Sequence, residues 1–217
     1  DERNRISCVS DLPEINLLVD FREVTNAANT IPFINVHEPG AGVGGHCIPY
    51  YPYFVMNWLD DDFPLLRTAR EQNDAMPNFT IDQMKTQLTS VGKSLERSRV
   101  LVLGVAYKPG VAETRATPAE PIIDELTESA SEVLVSDPVL TEEETGAFGG
   151  TVLPVTSIQE TDPDAVVIVT AHKEFTEINW DEFNPMVIIN GRQSMSIDSE
   201  RHRVYTIGAG TESEGDI

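Results

Sequence analysis

The sequence predicts a doubly wound, mostly parallel α/β sheet preceded by an N-terminal helical segment. Three observations carry that reading. Val100 to Tyr107 is a continuous apolar run, as expected of a strand buried on both faces. Shorter apolar runs recur at 133–135, 165–170, 186–189 and 204–207. Stretches with helical character separate several of them, and strands alternating with helices imply a parallel sheet wrapped by its connections.

Each element follows from local chemistry. Residues 14–29 are expected to be helical, with Pro13 near the start and Ile15, Leu18, Val19 and Val24 among polar positions. Pro32 stops that pattern. A glycine-rich loop, 40–49, comes next, then a short aromatic stretch from Tyr50 to Trp58. Residues 64–76 and 78–95 read as two helices, or as one long helix broken near Pro77. The texture changes at Arg99, where the first strand begins. Thr117 and Pro118 form a cap and first position for a helix over 118–129. The second strand ends at Ser136-Asp137-Pro138, and the tail from Thr211 is small and acidic. No internal repeat is present.

Composition narrows the function. Acidic residues number 36 against 15 basic ones, for a net charge of −21. That charge argues against nucleic acid or an anionic membrane as a partner. Only four of the basic residues are lysines (Lys85, Lys93, Lys108 and Lys173), and an acid-rich, lysine-poor surface points to a halophilic source. Two cysteines, Cys8 and Cys47, make no disulfide framework. No apolar run approaches a membrane span and no leader pattern opens the chain, so a cytoplasmic location is expected.

The richest segment is Gly40-Ala41-Gly42-Val43-Gly44-Gly45-His46-Cys47-Ile48-Pro49. Gly40, Gly42 and Gly45 fit G-x-G-x-x-G, but a dinucleotide fingerprint must follow a strand and open a helix. Pro49 and Pro52 are expected to prevent a helix from opening here. The strand-to-helix turn after Tyr107, Lys108-Pro109-Gly110-Val111, lacks the glycine triplet. Neither place reads as a convincing NAD site. Two readings of the loop stay open on residues alone: a structural turn holding a buried thiol, or a reactive cysteine with main-chain N–H groups nearby. His37 and His46 lack companion ligand spacing, so no metal is expected.

Several landmarks, in order, resemble the NAD-dependent nucleotide-sugar dehydrogenases. Pro39 to Pro49 with Pro52-Tyr53-Phe54 is similar to that family's cysteine loop, the UDP-N-acetylmannosamine type in particular. Arg70 to Pro77 resembles the helix that follows. Leu101 to Pro109, Glu113 to Ala119, Asp137-Pro138 and Asn190-Gly191-Arg192 resemble the C-terminal nucleotide-binding domain. The resemblance implies a Rossmann-like sheet and a division into a central helical region with the cysteine loop (1–97), a nucleotide-sugar-binding α/β domain (98–210) and an acidic tail (211–217). It implies oxidation of a sugar C6 alcohol to a carboxylate in two NAD-dependent steps, a UDP-sugar substrate and a homodimer. Cys47 takes the role of catalytic nucleophile through a thiohemiacetal and a thioester. Gly44 and Gly45 let the backbone approach the sugar, and Lys108 and Arg192 stand at the substrate. Asn73 is expected to order its helix rather than touch substrate.

Three departures qualify the resemblance. The family's N-terminal NAD-binding domain has no counterpart here, nor do the Lys and Asn of the central helix. Tyr51 stands where the family has an Asp, and Phe33 where it has an Arg. The resemblance therefore implies a C-terminal part of a nucleotide-sugar 6-dehydrogenase, inactive alone, with a missing NAD-binding half as its partner. The alternative is a catalytically dead nucleotide-sugar binding or assembly module. The charge alone yields one prediction. Raising KCl from about 0.1 M to about 2 M is expected to raise the thermal midpoint by several degrees, because like-charge repulsion is screened. Scanning fluorimetry checks this, and a flat or falling midpoint contradicts it.

Overall fold

The computed structural model describes residues 21–59, 63–192, 195, 197 and 200–209. Residues 14–20 of the first expected helix, Cys8 and the 211–217 tail lie outside the described residues. Three α-helices come first: α1 (Phe21–Ala28), α2 (Cys47–Trp58) and α3 (Pro64–Ser90). There follow β1 (Arg99–Leu103), α4 (Ala119–Ser129), β2 (Glu132–Ser136), α5 (Glu142–Gly146), β3 (Thr151–Val152), β4 (Ala165–Ile168), β5 (Val187–Asn190) and β6 (Arg203–Thr206). The six strands form one sheet in the order β3-β2-β1-β4-β5-β6, and every pairing is parallel.

The apolar strands divide cleanly between the two faces because side chains alternate along a strand. Val100, Val102, Val135, Val167 and Ile189 join Ile81, Met84 and Leu88 of α3 and Ile122, Ile123 and Leu126 of α4 in one buried cluster. Leu101, Leu103, Val166, Ile168 and Ile188 face the other way, onto Ile158, Phe175 and Phe183. That second face is roofed by three short 3₁₀ segments, Val155–Glu160, Lys173–Glu177 and Trp180–Glu182, rather than by α-helices. Among the described residues no helix is long and apolar enough to cross a membrane.

Two expectations about proline change. α3 is a single 27-residue helix that runs through the buried Pro77, so the pattern over 64–95 is not two helices. A proline nitrogen cannot bond the carbonyl four residues back, so Pro77 leaves the Asn73 carbonyl free of the helix ladder. That carbonyl faces the glycine loop: a Cβ on Gly42 would stand 3.7 Å from it. A helix also opens at Cys47 despite Pro49 and Pro52. Pro49 sits in the first turn, where N–H groups have no intrahelical acceptor, so it sacrifices nothing. Pro52 gives up one bond.

Sequence reading placed no element between β2 and β4, yet α5 and β3 lie there. α5 carries a reciprocal cap: the Thr141 hydroxyl accepts from the Glu144 N–H, and the Glu144 carboxylate accepts from the Thr141 N–H. The Thr-x-x-Glu spacing signals it. At the head of α4, the Thr117 hydroxyl accepts from the Ala119 N–H at 3.2 Å and donates to the Val105 carbonyl at 2.7 Å.

Gly104 ends β1 with φ of +87°, and a Cβ there would stand 2.4 Å from the Thr170 carbonyl oxygen. Gly104→Ala is expected to cost about 3–5 kcal/mol in urea unfolding, combining left-handed strain with a backbone clash. Gly110, with φ of +72°, has nothing within 4 Å of its Cβ direction, so Gly110→Ala is expected to cost only about 1–2 kcal/mol. Equal losses would contradict the close approach of Gly104 to Thr170.

Candidate active site

The cysteine loop is bonded on three sides before the thiol is reached. On the sheet side, Gly40 forms an isolated antiparallel bridge with Arg192, and the Ala41 N–H donates to the Gly191 carbonyl at 3.3 Å. On the α3 side, the Asn73 side chain accepts from the Val43 N–H at 2.8 Å and donates to the Val43 carbonyl at 3.3 Å. Asn73 therefore orders the loop as well as standing on its helix. From the β1–α4 connection, the Arg115 carbonyl accepts the Gly45 N–H at 2.8 Å.

The glycines answer to this enclosure. A Cβ on Gly44 would stand 2.6 Å from the Ala116 carbonyl oxygen, and one on Gly45, whose φ is +95°, would stand 2.9 Å from the Tyr107 ring. Gly42 has φ of +134°, and its Cβ direction ends on the Pro118 ring. The face of each glycine where a side chain would stand is turned onto the chain itself.

Arg192 is half-buried between the loop and the sheet. Its Nε donates to the Val169 carbonyl at 2.9 Å and its Nη2 to the Gly42 carbonyl at 2.8 Å. Burial pushes the guanidinium below its ordinary value, and the Glu38 carboxylate opposes that shift. Most of this cation is spent on joining the loop to the end of β4.

Cys47 emerges from this scaffold as the first residue of α2, exposed and in no disulfide, so it is not a buried structural thiol. His46 precedes the helix, and its ring meets Tyr51 edge-on with centroids 5.5 Å apart. Tyr51 follows Cys47 by one turn. A hydrogen bond to Cys47, the charge of that sulfur and a little burial all push the Tyr51 phenol above its ordinary value. Tyr51 thus keeps its proton near neutral pH and is a donor toward the sulfur rather than a base. Two residues further, the Tyr53 hydroxyl donates to Asp74 of α3 at 3.2 Å, and Arg70 pairs with the same carboxylate.

Lys108 stands exposed on the turn after β1, and no carboxylate pairs with it among the described residues. The turn is held by two buried groups that sequence reading gave no role. Asp137, immediately after β2, accepts from the Val105 and Ala106 N–H groups at 2.7 and 2.9 Å through one oxygen. Its other oxygen accepts from Val139 and Leu140 at 2.9 and 3.2 Å. Burial alone would raise this carboxyl; the His172 imidazole and the main-chain donors overcome it and lower it to about 2. His172 Nδ1 accepts the Gly110 N–H at 3.2 Å, and Nε2 lies 3.3 Å from Asp137 but out of line for a hydrogen bond. An aspartate between a strand and a proline is a visible signal; His172 carries none outside its tertiary setting.

This arrangement also tests the dinucleotide. In folds of this strand order an acidic side chain past β2 holds a ribose and a glycine turn past β1 holds a pyrophosphate. Here the acid is turned inward onto four main-chain N–H groups, and Thr170 fills the space beside Gly104. The residues around the β1–β4 crevice do not fit NAD.

A parallel sheet that reverses its winding between β1 and β4 defines a Rossmann-like domain, here joined to a thiol-bearing loop. The chain belongs to the UDP-glucose/GDP-mannose dehydrogenase family: residues 4–75 match its central domain and residues 101–201 its UDP binding domain. It is 35% identical over 178 residues to the UDP-N-acetyl-D-mannosamine dehydrogenase of Pyrococcus horikoshii, covering 80% of this chain and 40% of that protein. Identity to the Campylobacter jejuni enzyme of the same name is 31% over 182 residues, 82% of this chain and 43% of the relative. The solved structure of the Pyrococcus horikoshii UDP-D-ManNAc dehydrogenase superposes with a TM-score of 0.78 at 32% identity, over 90% of this chain and 46% of that one. The chain thus spans less than half the length of these relatives.

Asp137 gives a pH prediction. Its carboxyl falls from 3.8 to about 2 on folding, so its stabilisation is fully present above about pH 4 and is lost as pH falls toward about 2. Between about pH 5 and about pH 3 the wild type is expected to lose more stability than Asp137→Asn, by about 1 kcal/mol. Urea unfolding at the two pH values checks this, and parallel losses contradict it.

Proposed function

We propose that this chain is the sugar-nucleotide and cysteine part of an NAD-dependent nucleotide-sugar 6-dehydrogenase acting on an N-acetylated UDP-sugar. The observation that supports it most is the exposed Cys47 at the head of α2, on a loop tied to both family-matched segments. In this reading Cys47 is the nucleophile that holds the C6 aldehyde covalently, so that it cannot diffuse away between the two oxidations. Lys108 is the cation that meets the substrate. Gly44, Gly45 and Arg192 set the position of the thiol through the loop. NAD would accept hydride from this substrate, and residues other than the described ones would hold it.

One observation favours a second reading, a nucleotide-sugar binding module without turnover. Tyr51 occupies the place of the family's Asp and keeps its proton, so it cannot draw a proton from water near neutral pH. Association is part of the proposal as well. Phe33, Trp58 and Leu65 are 88%, 88% and 85% exposed, which supports a homodimer or a cover from an NAD-binding half.

Calorimetric titration of the chain with UDP-N-acetyl-D-mannosamine is expected to show saturable binding, and silence with every UDP-sugar tried would overturn both readings. Fusing the chain to the NAD-binding half of the Pyrococcus horikoshii relative then separates them. NADH formation that vanishes in Cys47→Ala supports the dehydrogenase; binding with no NADH supports the binding module.

A further inference from the structure

We propose that His172 and Asp137 are positioning residues of this site: together they fix the Tyr107–Gly110 turn, and so the place of Lys108, against the cysteine loop. The inference rests on the nucleotide-sugar reading above.

The turn leaves the carboxyl end of β1, an interior strand, and is held at several points. Asp137 takes the Val105 and Ala106 N–H groups, and the Thr170 hydroxyl donates to the Ala106 carbonyl at 2.6 Å. The Tyr107 N–H donates to Glu113 at 3.0 Å. On the far side of Lys108, the Gly110 N–H is held by His172 Nδ1. Because Nδ1 accepts, the ring hydrogen lies on Nε2, which stands 3.3 Å from Asp137 but out of line with it. The imidazole is fully buried and stands edge-on to Phe175 with centroids 5.6 Å apart, so packing fixes its plane.

Lys108 therefore sits between two anchors that meet each other behind the turn. In front, the Tyr107 ring closes on Gly45, two residues before Cys47. A shift of the turn would move the ammonium relative to the thiol without altering either side chain. Holding a charge in place from behind is a role a purely structural pair would not share, and it has a distinct signature. The effect of His172 on ligand should pass through Lys108 and disappear when Lys108 is gone.

The test is a double-mutant cycle on the chain, read by calorimetric titration with UDP-N-acetyl-D-mannosamine. His172→Phe keeps the packing and loses the acceptor. It is expected to weaken binding about tenfold, as is Lys108→Ala, while the double variant binds no worse than Lys108→Ala alone. His172→Gln, whose amide oxygen can still accept from Gly110, is expected to stay within about threefold of wild type. If His172→Phe does not fold, His172→Leu, which also lacks an acceptor, replaces it in the same cycle. Wild-type affinity in His172→Phe, equal losses in the Gln and Phe variants, or losses that multiply in the double variant would overturn the inference and leave the nucleotide-sugar reading intact. A wild-type chain that binds no UDP-sugar would overturn that reading and this inference with it.

Discussion

The arrangement depends on one cation drawn partly out of water. Arg192 spans from the Val169 carbonyl, at the end of β4, to the Gly42 carbonyl in the cysteine loop. A guanidinium taken out of water carries a heavy desolvation cost and is tolerated only where its donors meet good acceptors. Both acceptors are main-chain carbonyls, so the tie does not depend on which side chains the loop presents. The planar fork of arginine fits this use, since it reaches two acceptors at a fixed angle where an ammonium would reach one well. With the sheet and the loop joined at this point, the Asn73 and Arg115 bonds fix the loop's remaining freedom.

The glycines read differently once that enclosure is seen. A glycine-rich loop beside a thiol suggests backbone made bare for a ligand. Here the bare faces of Gly42, Gly44 and Gly45 meet Pro118, Ala116 and Tyr107. The loop is small so that the β1–α4 connection can close over it. The side chains of His46, Cys47 and Tyr51 stand clear of it at the head of α2. Scaffold and reactive groups thus occupy different residues, and Tyr51 can differ from the family's Asp without disturbing the bonds that hold the loop.

Much of the fold was legible. Four of the six strands announce themselves as Val, Ile and Leu runs, because strands buried on both faces leave no room for polar residues, while the half-exposed edge strand β6 shows as the mixed run Val204-Tyr205-Thr206-Ile207. β3 escapes, since two residues make no pattern. α2 was misread through an overextended rule: proline breaks a helix interior but not its first turn, and Pro49 is in the first turn. Within the site, Cys47 stood out by composition. The ties of Arg192 and the Asp137–His172 pair did not, because residues 35 positions apart meet only after the three strands β2, β1 and β4 have been laid side by side.

The two faces of the sheet are covered unequally, and the difference bears on how the molecule comes apart. One face is sealed by two long helices, and Ala41 of the cysteine loop belongs to that cluster. The other is roofed by single turns around Ile158, Phe175 and Phe183, which have few internal hydrogen bonds to lose. Local opening therefore starts on the roofed side, where amide protons exchange earliest, while the helical side and the loop it carries stay closed. The loop that leads to Cys47 is thus anchored, through Ala41, on the helical side of the sheet.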